Sequence, residues 1–287
     1  MAENGNHPEI RVSEPRKRTP GSGWILTLAI LFVAATFLAW YFTWFGRELS
    51  DADITKYLND TSNPRHVQHA LNQIQQRIER GDASAKNWYP QIVTLSSNPE
   101  PQFRLIAAWV MGFDNKSPEF HEALKKLLQD QEPIVRRNTA LALVRFGDAS
   151  GRSELVSVLS PYPVRAPAAG VIASSLKEGA DVGRGALLAR IQEAGGKVIE
   201  LRSPLPGKIN KILKTNGAQV SPGDEILNLN SDEDSLWEAL RGLSLIGTRE
   251  DAPIIQSYAD SPNVSERIRE QAKLTVKQVE RAASPAK

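Results

Sequence analysis

The sequence predicts a multidomain α + β protein: one transmembrane helix, an α-solenoid of paired helices, and an all-β flattened barrel inserted into that solenoid. Three observations predict it. An uncharged apolar run occupies Trp24 to Phe45. Amphipathic helical periodicity, broken by short Asn, Asp, Gly, Pro and Ser clusters, begins at Asp51, stops at Ser160-Pro161 and returns by Leu236. Between the two helical stretches, residues 164–229 are rich in β-branched side chains, punctuated by Gly, and internally duplicated. A chain of 287 residues has room for this at roughly 100–200 residues per domain.

Residues 1–23 are polar and contain Pro8, Pro15, Pro20 and Gly21. They hold too little apolar surface to fold alone and are predicted to be a disordered cytoplasmic tail. Residues 24–45, WILTLAILFVAATFLAWYFTWF, are long enough at 1.5 Å per residue to cross a hydrocarbon core of about 30 Å. Trp24 at one end and Trp40, Tyr41 and Trp44 at the other fall where amphipathic rings prefer the headgroups. No small-x-small cleavage site follows at Phe45-Gly46-Arg47, so the segment is read as an uncleaved anchor. Arg11, Arg16, Lys17 and Arg18 precede the run, while Arg47 and Lys56 follow it. That asymmetry predicts a single-pass inner-membrane protein with a cytoplasmic N-terminus and a periplasmic body.

The first helical region, 51–160, contains a repeat. Pro101-Gln-Phe-Arg104-Leu-Ile-Ala-Ala108 lies over Pro133-Ile-Val-Arg136-Arg-Asn-Thr-Ala140, and an apolar-faced second helix follows each, Phe120 to Leu128 and Ser153 to Leu159. A Pro in the first turn presets φ and loses no needed N–H. Ala108 and Ala140 are small enough for close helix approach. A single such pair cannot bury both its faces, so neighbours must stack. Asp130-Gln-Glu-Pro133-Ile-Val135-Arg136, with Ala140, Leu143 and Gly147-Asp148, resembles the HEAT-type repeat. The helical pattern continues over 231–281, where Leu236 to Asp251 ends in a Gly-turn-Asp comparable to Phe146-Gly147-Asp148. Residues 282–287 are predicted to be a disordered tail.

The β region, 161–230, carries one motif twice. Ala166-Pro167…Gly170-Val-Ile172…Lys177-Glu-Gly179…Val182…Gly185…Leu188 recurs as Ser203-Pro204…Gly207-Lys-Ile209…Lys214…Gly217…Val220…Gly223…Ile226. Gly170 and Gly207 are expected to permit tight turns between strands. The pairs Gly179/Gly185 and Gly217/Gly223 are expected at positive-φ corners, with Val182 and Val220 pointing inward. This doubled pattern resembles the two halves of biotinyl/lipoyl domains and the equivalent modules of periplasmic membrane-fusion adaptors. In the carriers of that family a Lys is modified on the hairpin joining the halves. Here the hairpin reads Gln192-Glu193-Ala194-Gly195-Gly196-Lys197-Val198, with Lys197 one residue off and glycines where a flanking Met belongs. Lys197 is the one candidate attachment site for biotin or lipoate, and the broken motif favours an ordinary solvated turn lysine.

Composition excludes several function classes. The 35 Lys plus Arg against 33 Asp plus Glu leave a formal charge of +2, with no basic field for nucleic acid. Zero cysteines remove disulfides, thiolate metal sites and Cys nucleophiles. Of the four histidines, His7 lies in the tail, His66 and His69 stand one helical turn apart, and His121 is alone, so no third metal ligand is placed by sequence. Phosphate-loop, nucleophile-elbow and zincin motifs are absent from the sequence. The expectation is a non-enzyme without cofactor or metal: a membrane-anchored scaffold or adaptor that binds the bilayer through 24–45 and protein partners through its repeats and its lipoyl-like module. Two alternatives stand beside it. One is a periplasmic adaptor of a transport or efflux system, although only Gln192 to Ser203 separates the half-motifs, where membrane-fusion proteins carry a long helical hairpin. The other is a carrier modified at Lys197.

Overall fold

A computed structural model describes residues 22–44 and 48–282, with side chains at 23–39 and 48–281. The chain divides into two units, Met1–Leu49 and Ser50–Lys287. In the first, helix α1 (Ser22–Trp44) carries exposed apolar side chains including Ile25, Leu28 and Phe32. The predicted transmembrane helix is corrected here: among the described residues no helix is long and apolar enough to cross a membrane. The rings of Trp40, Tyr41, Trp44 and Phe45, assigned to the far boundary, lie outside the described residues. So do the N-terminal tail before Ser22 and the C-terminal tail after Ala282.

The second unit is a helical repeat region with an antiparallel β region between two of its helices. The helices before the β region are α2 (Asp51–Asn59), α3 (Pro64–Glu79), α4 (Tyr89–Leu95), α5 (Pro101–Met111), α6 (Pro118–Leu127), α7 (Pro133–Arg145) and α8 (Arg152–Val158). After it come α9 (Glu233–Ile246), α10 (Ala252–Ala259) and α11 (Glu266–Ala282). Pro64, Pro101, Pro118 and Pro133 open α3, α5, α6 and α7, where the missing N–H costs nothing. Ser50, Ser117 and Asp232 cap α2, α6 and α9 by accepting N–H bonds from Asp53, Phe120 and Ser235.

The helices stack as pairs. α3, α5, α7, α9 and α11 pack successively into one layer, and the second helices of the pairs cover its other side. The step from α7 to α9 skips the whole β region. Buried Leu155 and Val158 of α8 share one core with Leu240, Leu243 and Ile255 of α9 and α10. A Cβ on Gly242 would stand 2.7 Å from Leu155 Cδ1, so a larger residue there would have to displace the end of the Leu155 side chain.

The β region has eight strands: β1 (Tyr162–Arg165), β2 (Gly170–Ala173), β3 (Asp181–Val182), β4 (Leu187–Gln192), β5 (Val198–Arg202), β6 (Gly207–Ile212), β7 (Gln219–Val220) and β8 (Glu225–Ser231). Where a flattened barrel is expected, the structure forms two separate four-stranded sheets, ordered β1-β8-β6-β3 and β5-β4-β2-β7. β3 and β7 are two residues long, too short to bridge one sheet to the other. Replacing each strand n by n + 4 converts one sheet order into the other, so the sequence duplication is a pseudo-twofold in the fold. Its halves are exchanged, β2 pairing with β7 and β3 with β6. Gly179 N–H donates to Ile209 O at 2.7 Å and Gly217 N–H to Ile172 O at 2.8 Å, the same bond in each half.

Gly179, Gly185, Gly217 and Gly223 have φ of 79–90° at the corners, and Val182 and Val220 are buried. Gly170 and Gly207 differ from expectation. Both begin strands without a positive φ, and a Cβ on Gly170 would stand 2.5 Å from the Gln192 carbonyl oxygen. Their requirement is close strand approach, not a turn.

Candidate functional site

Two sets of interactions repeat along the solenoid and fix the geometry of its faces. In the first, an Arg one turn into a helix ties the loop before it. Arg104 donates through Nη1 to the carbonyls of Asn98 and Pro99 at 2.9 and 2.8 Å, and pairs with Asp130 at 2.6 Å. Arg136 donates to the carbonyls of Asp130 and Gln131 at 2.8 and 3.2 Å, and Arg269 to Val264 O at 2.9 Å. In the second, a side chain from the second helix of one pair reaches a turn aspartate of the next. Tyr89 Oη donates to Asp114 at 2.8 Å, His121 Nε2 meets Asp148 at 2.6 Å, and Arg152 grips Asp251 through two bonds of 2.7 Å. The third rung spans the β region, 99 residues in sequence.

These rungs hold α5, α7 and α9 side by side, and a groove runs between α7 and α9. Its wider end, about 490 Å³, is lined by Trp109, Leu141, Arg145, Arg241 and Leu245. Trp109 is 38% and Leu245 75% exposed, large apolar side chains that a free surface seldom presents together. Its inner end, about 220 Å³, is lined by Ile134, Arg137, Leu155, Val158 and Asp234. Asn138, Leu141 and Glu238 border both, so the two lie next to each other along α9.

Arg137 sits at the inner end and is buried. Its Nη1 lies 3.5 Å from Ser231 Oγ, which donates to Val158 O at 2.8 Å, and its Nε–H has no acceptor. Burial lowers the guanidinium below its usual value. The same contacts place Arg137 where β8 rejoins the helices.

Of the residues singled out in the sequence, Lys197 is exposed just after the β4–β5 turn, in which Glu193 N–H donates to Lys197 O and Gly196 N–H to Glu193 O, both at 2.9 Å. Under the pseudo-twofold this hairpin corresponds to the junction of β8 and β1 with the helices. His66 and His69 do not converge: His66 Nδ1 meets Asp60 at 2.7 Å with its ring stacked on Tyr57, and His69 Nε2 lies 3.2 Å from the Gln73 amide nitrogen. His121 is taken by the rung to Asp148, and His7 lies outside the described residues. Among the described residues no three His, Cys, Asp or Glu side chains are grouped to hold a metal. Arg137, Trp109 and Leu245 carry no sequence signal of their own, because α9 builds half of their surroundings.

The family described as HEAT repeats matches residues 90–173. No curated protein matches the chain. Among solved structures, the chain is similar to a single-chain, multi-domain long-chain acyl-CoA carboxylase at 23% identity over 34% of this chain and 10% of that one, with a TM-score of 0.24. This chain therefore spans about a tenth of the carboxylase. It is similar to an engineered protein at 13% identity over 80% of both chains, TM-score 0.42, and to a designed armadillo repeat protein at 13% identity over 79% of this chain and 98% of that one, TM-score 0.30. Over residues 90–173 the chain is thus similar to HEAT repeats.

Proposed function

We propose that the chain is a non-catalytic scaffold that binds protein partners through its helical repeats, with the β region, a module of the biotinyl/lipoyl type, as a second docking head. The observation that carries this reading is the groove on the α5, α7 and α9 face, where Trp109 and Leu245 stand exposed beside Arg145 and Arg241. Repeat layers of this kind present extended surfaces made of side chains from several repeats, and aromatic and Arg side chains are the usual anchors of protein interfaces. The β module has its own core, around Ile172, Leu188, Ile191 and Ile209, so it docks without disturbing the repeats.

Crosslinking in the native host, with the adducts identified by mass spectrometry, tests the reading. Replacing both Trp109 and Leu245 by Asp in the full chain should remove specific adducts while leaving the circular dichroism spectrum intact. An unchanged set of adducts rejects this face as the docking site.

A second reading, the carrier, is favoured by one observation: Lys197 is exposed on the hairpin that joins the two halves. Intact-mass measurement on protein from its own host decides it, since biotin or lipoate adds a discrete mass that Lys197→Arg removes.

A further inference from the structure

The groove between α7 and α9 contains a buried guanidinium that forms no ion pair among the described residues. Arg137 is 5% exposed, its Nε–H is unpaired, and its only hydrogen bond, to Ser231 Oγ, is 3.5 Å long, beyond the usual range for N–H···O. The surrounding carboxylates are engaged elsewhere. Glu154 pairs with Arg136 at 3.1 Å, Asp234 with Arg267 at 2.9 Å, and Glu238 with Arg241 at 3.9 Å. Asp232 is occupied as the cap of α9, accepting the Ser235 N–H at 3.0 Å. Among the described residues Arg137 forms no ion pair, and a guanidinium held out of water in this state is relieved when a carboxylate reaches it.

The walls of the groove select among anions. Ile134, Leu141, Leu155 and Val158 line the inner end, an apolar wall that penalises a hydrated inorganic anion and accepts an aliphatic or aromatic side chain. Asp234 and Glu238, which share the lining with Arg137, are held by Arg267 and Arg241, and Arg145 and Arg241 stand at the other end. From Asp234 to Leu245 the groove follows α9 for about 17 Å at 1.5 Å per residue, the length of about five extended residues.

We propose that this groove binds a short segment of a partner protein in which an Asp or Glu is flanked by apolar residues. The carboxylate pairs with Arg137, and the apolar side chains lie over Leu141 and against Trp109 and Leu245. This rests on the scaffold reading and specifies the chemistry of its partner.

Selection of phage-displayed random dodecapeptides on the full chain tests it, followed by affinity measurement with synthetic peptides from the selected set. The expected result is enrichment of Asp or Glu next to Leu, Ile or Phe. Arg137→Met should weaken binding at least about tenfold, in line with the loss of a buried charge pair. Leu245→Asp, at an exposed position that leaves folding intact, should weaken it as well. In the native chain the Arg137 Nε–H resonance should move on adding peptide, and this readout decides the matter if Arg137→Met fails to fold. Inorganic phosphate is the second arm: a shift of that resonance by phosphate equal to the shift by peptide overturns a peptide site in favour of a simple anion site. Selected peptides that ignore both Arg137→Met and the acidic position overturn this proposal while leaving the scaffold reading standing. No selected peptide at all rejects both.

Discussion

Asp148 accepts the Ser150 N–H at 2.7 Å and meets His121 at 2.6 Å, so deleting its carboxylate uncaps a turn and unties a rung between repeats. Asp148→Ala should cost about 0.5–1.5 kcal/mol in denaturant unfolding, the usual net worth of a hydrogen bond, since both side chains are half-buried. A loss well under about 0.5 kcal/mol, the floor for a single hydrogen bond, would show that the rung contributes nothing. Asp130 adds a pH dependence. Burial pushes its carboxyl up, but the Arg104 guanidinium and the Glu132 N–H outweigh that and hold it below 3.8. The unfolded chain therefore takes up this proton first as pH falls. The stabilisation is complete above about pH 4 and is lost as pH drops through the lower native value. Asp130→Asn should be less stable than the native chain at neutral pH, with the gap closing in acid; a gap independent of pH contradicts the assignment. Arg137 has the opposite character. Lacking an ion pair, it should tolerate Arg137→Met with unchanged or higher stability, by up to about 1–4 kcal/mol, and a clear loss would reveal a partner. Arg104 and Arg136 were legible in the sequence because two aligned stretches place them alike. Arg137, their neighbour, was not, since its surroundings come from Ser231, 94 residues away.

At the scale of elements, the β region is two interleaved halves. β2 completes its sheet with β7 from the other half, and β3 does the same with β6. Each half alone leaves sheet edges unpaired and its core open. Residues 162–231 expressed alone should therefore fold to a β spectrum with a cooperative melt, whereas 162–196 or 197–231 alone should remain unfolded. A folded half would show that the exchange of strands is not needed. The duplicated motif was legible because its glycines recur in register, and four of them do stand at positive-φ corners. Which strands pair was not legible. Exchange between halves depends on contacts such as Gly179 N–H to Ile209 O, and no local pattern distinguishes these from pairing within a half. The same limit explains Gly170, whose neighbour at the would-be Cβ is the Gln192 carbonyl of another strand. At the other end of the chain, the apolar run was plain in the sequence, but among the described residues no helix is long and apolar enough to cross a membrane.

At the scale of the molecule, the question is whether the helices on the two sides of the β region form one solenoid. The match to HEAT repeats runs from 90 to 173, past the end of α8 at Val158 and through β1 and β2. In chain order the first helix of the next repeat would stand there. In space that place belongs to α9, which packs on α7 and α8 and whose turn receives Arg152 on Asp251. The entry and exit of the β region lie together, Tyr162 pairing with Leu229 and Ser231 Oγ donating to Val158 O at 2.8 Å, so the helices close over its absence without rearrangement. Two truncations test this against each other. Excising 162–230 with a short Gly/Ser link should leave a folded protein whose helical circular dichroism and cooperative melt persist. Ending the chain after Ser160 should instead expose Leu155 and Val158, which pack on Leu240 and Ile255. Burial of each such side chain is worth about 1.5–3 kcal/mol, and stability in a solenoid is carried by contacts between neighbouring repeats. The shorter chain should therefore melt well below the excised one, although it lacks only α9 to α11 by comparison. Equal melting of the two would mean that the helices after the β region form a separate body, and the continuous solenoid would have to be given up.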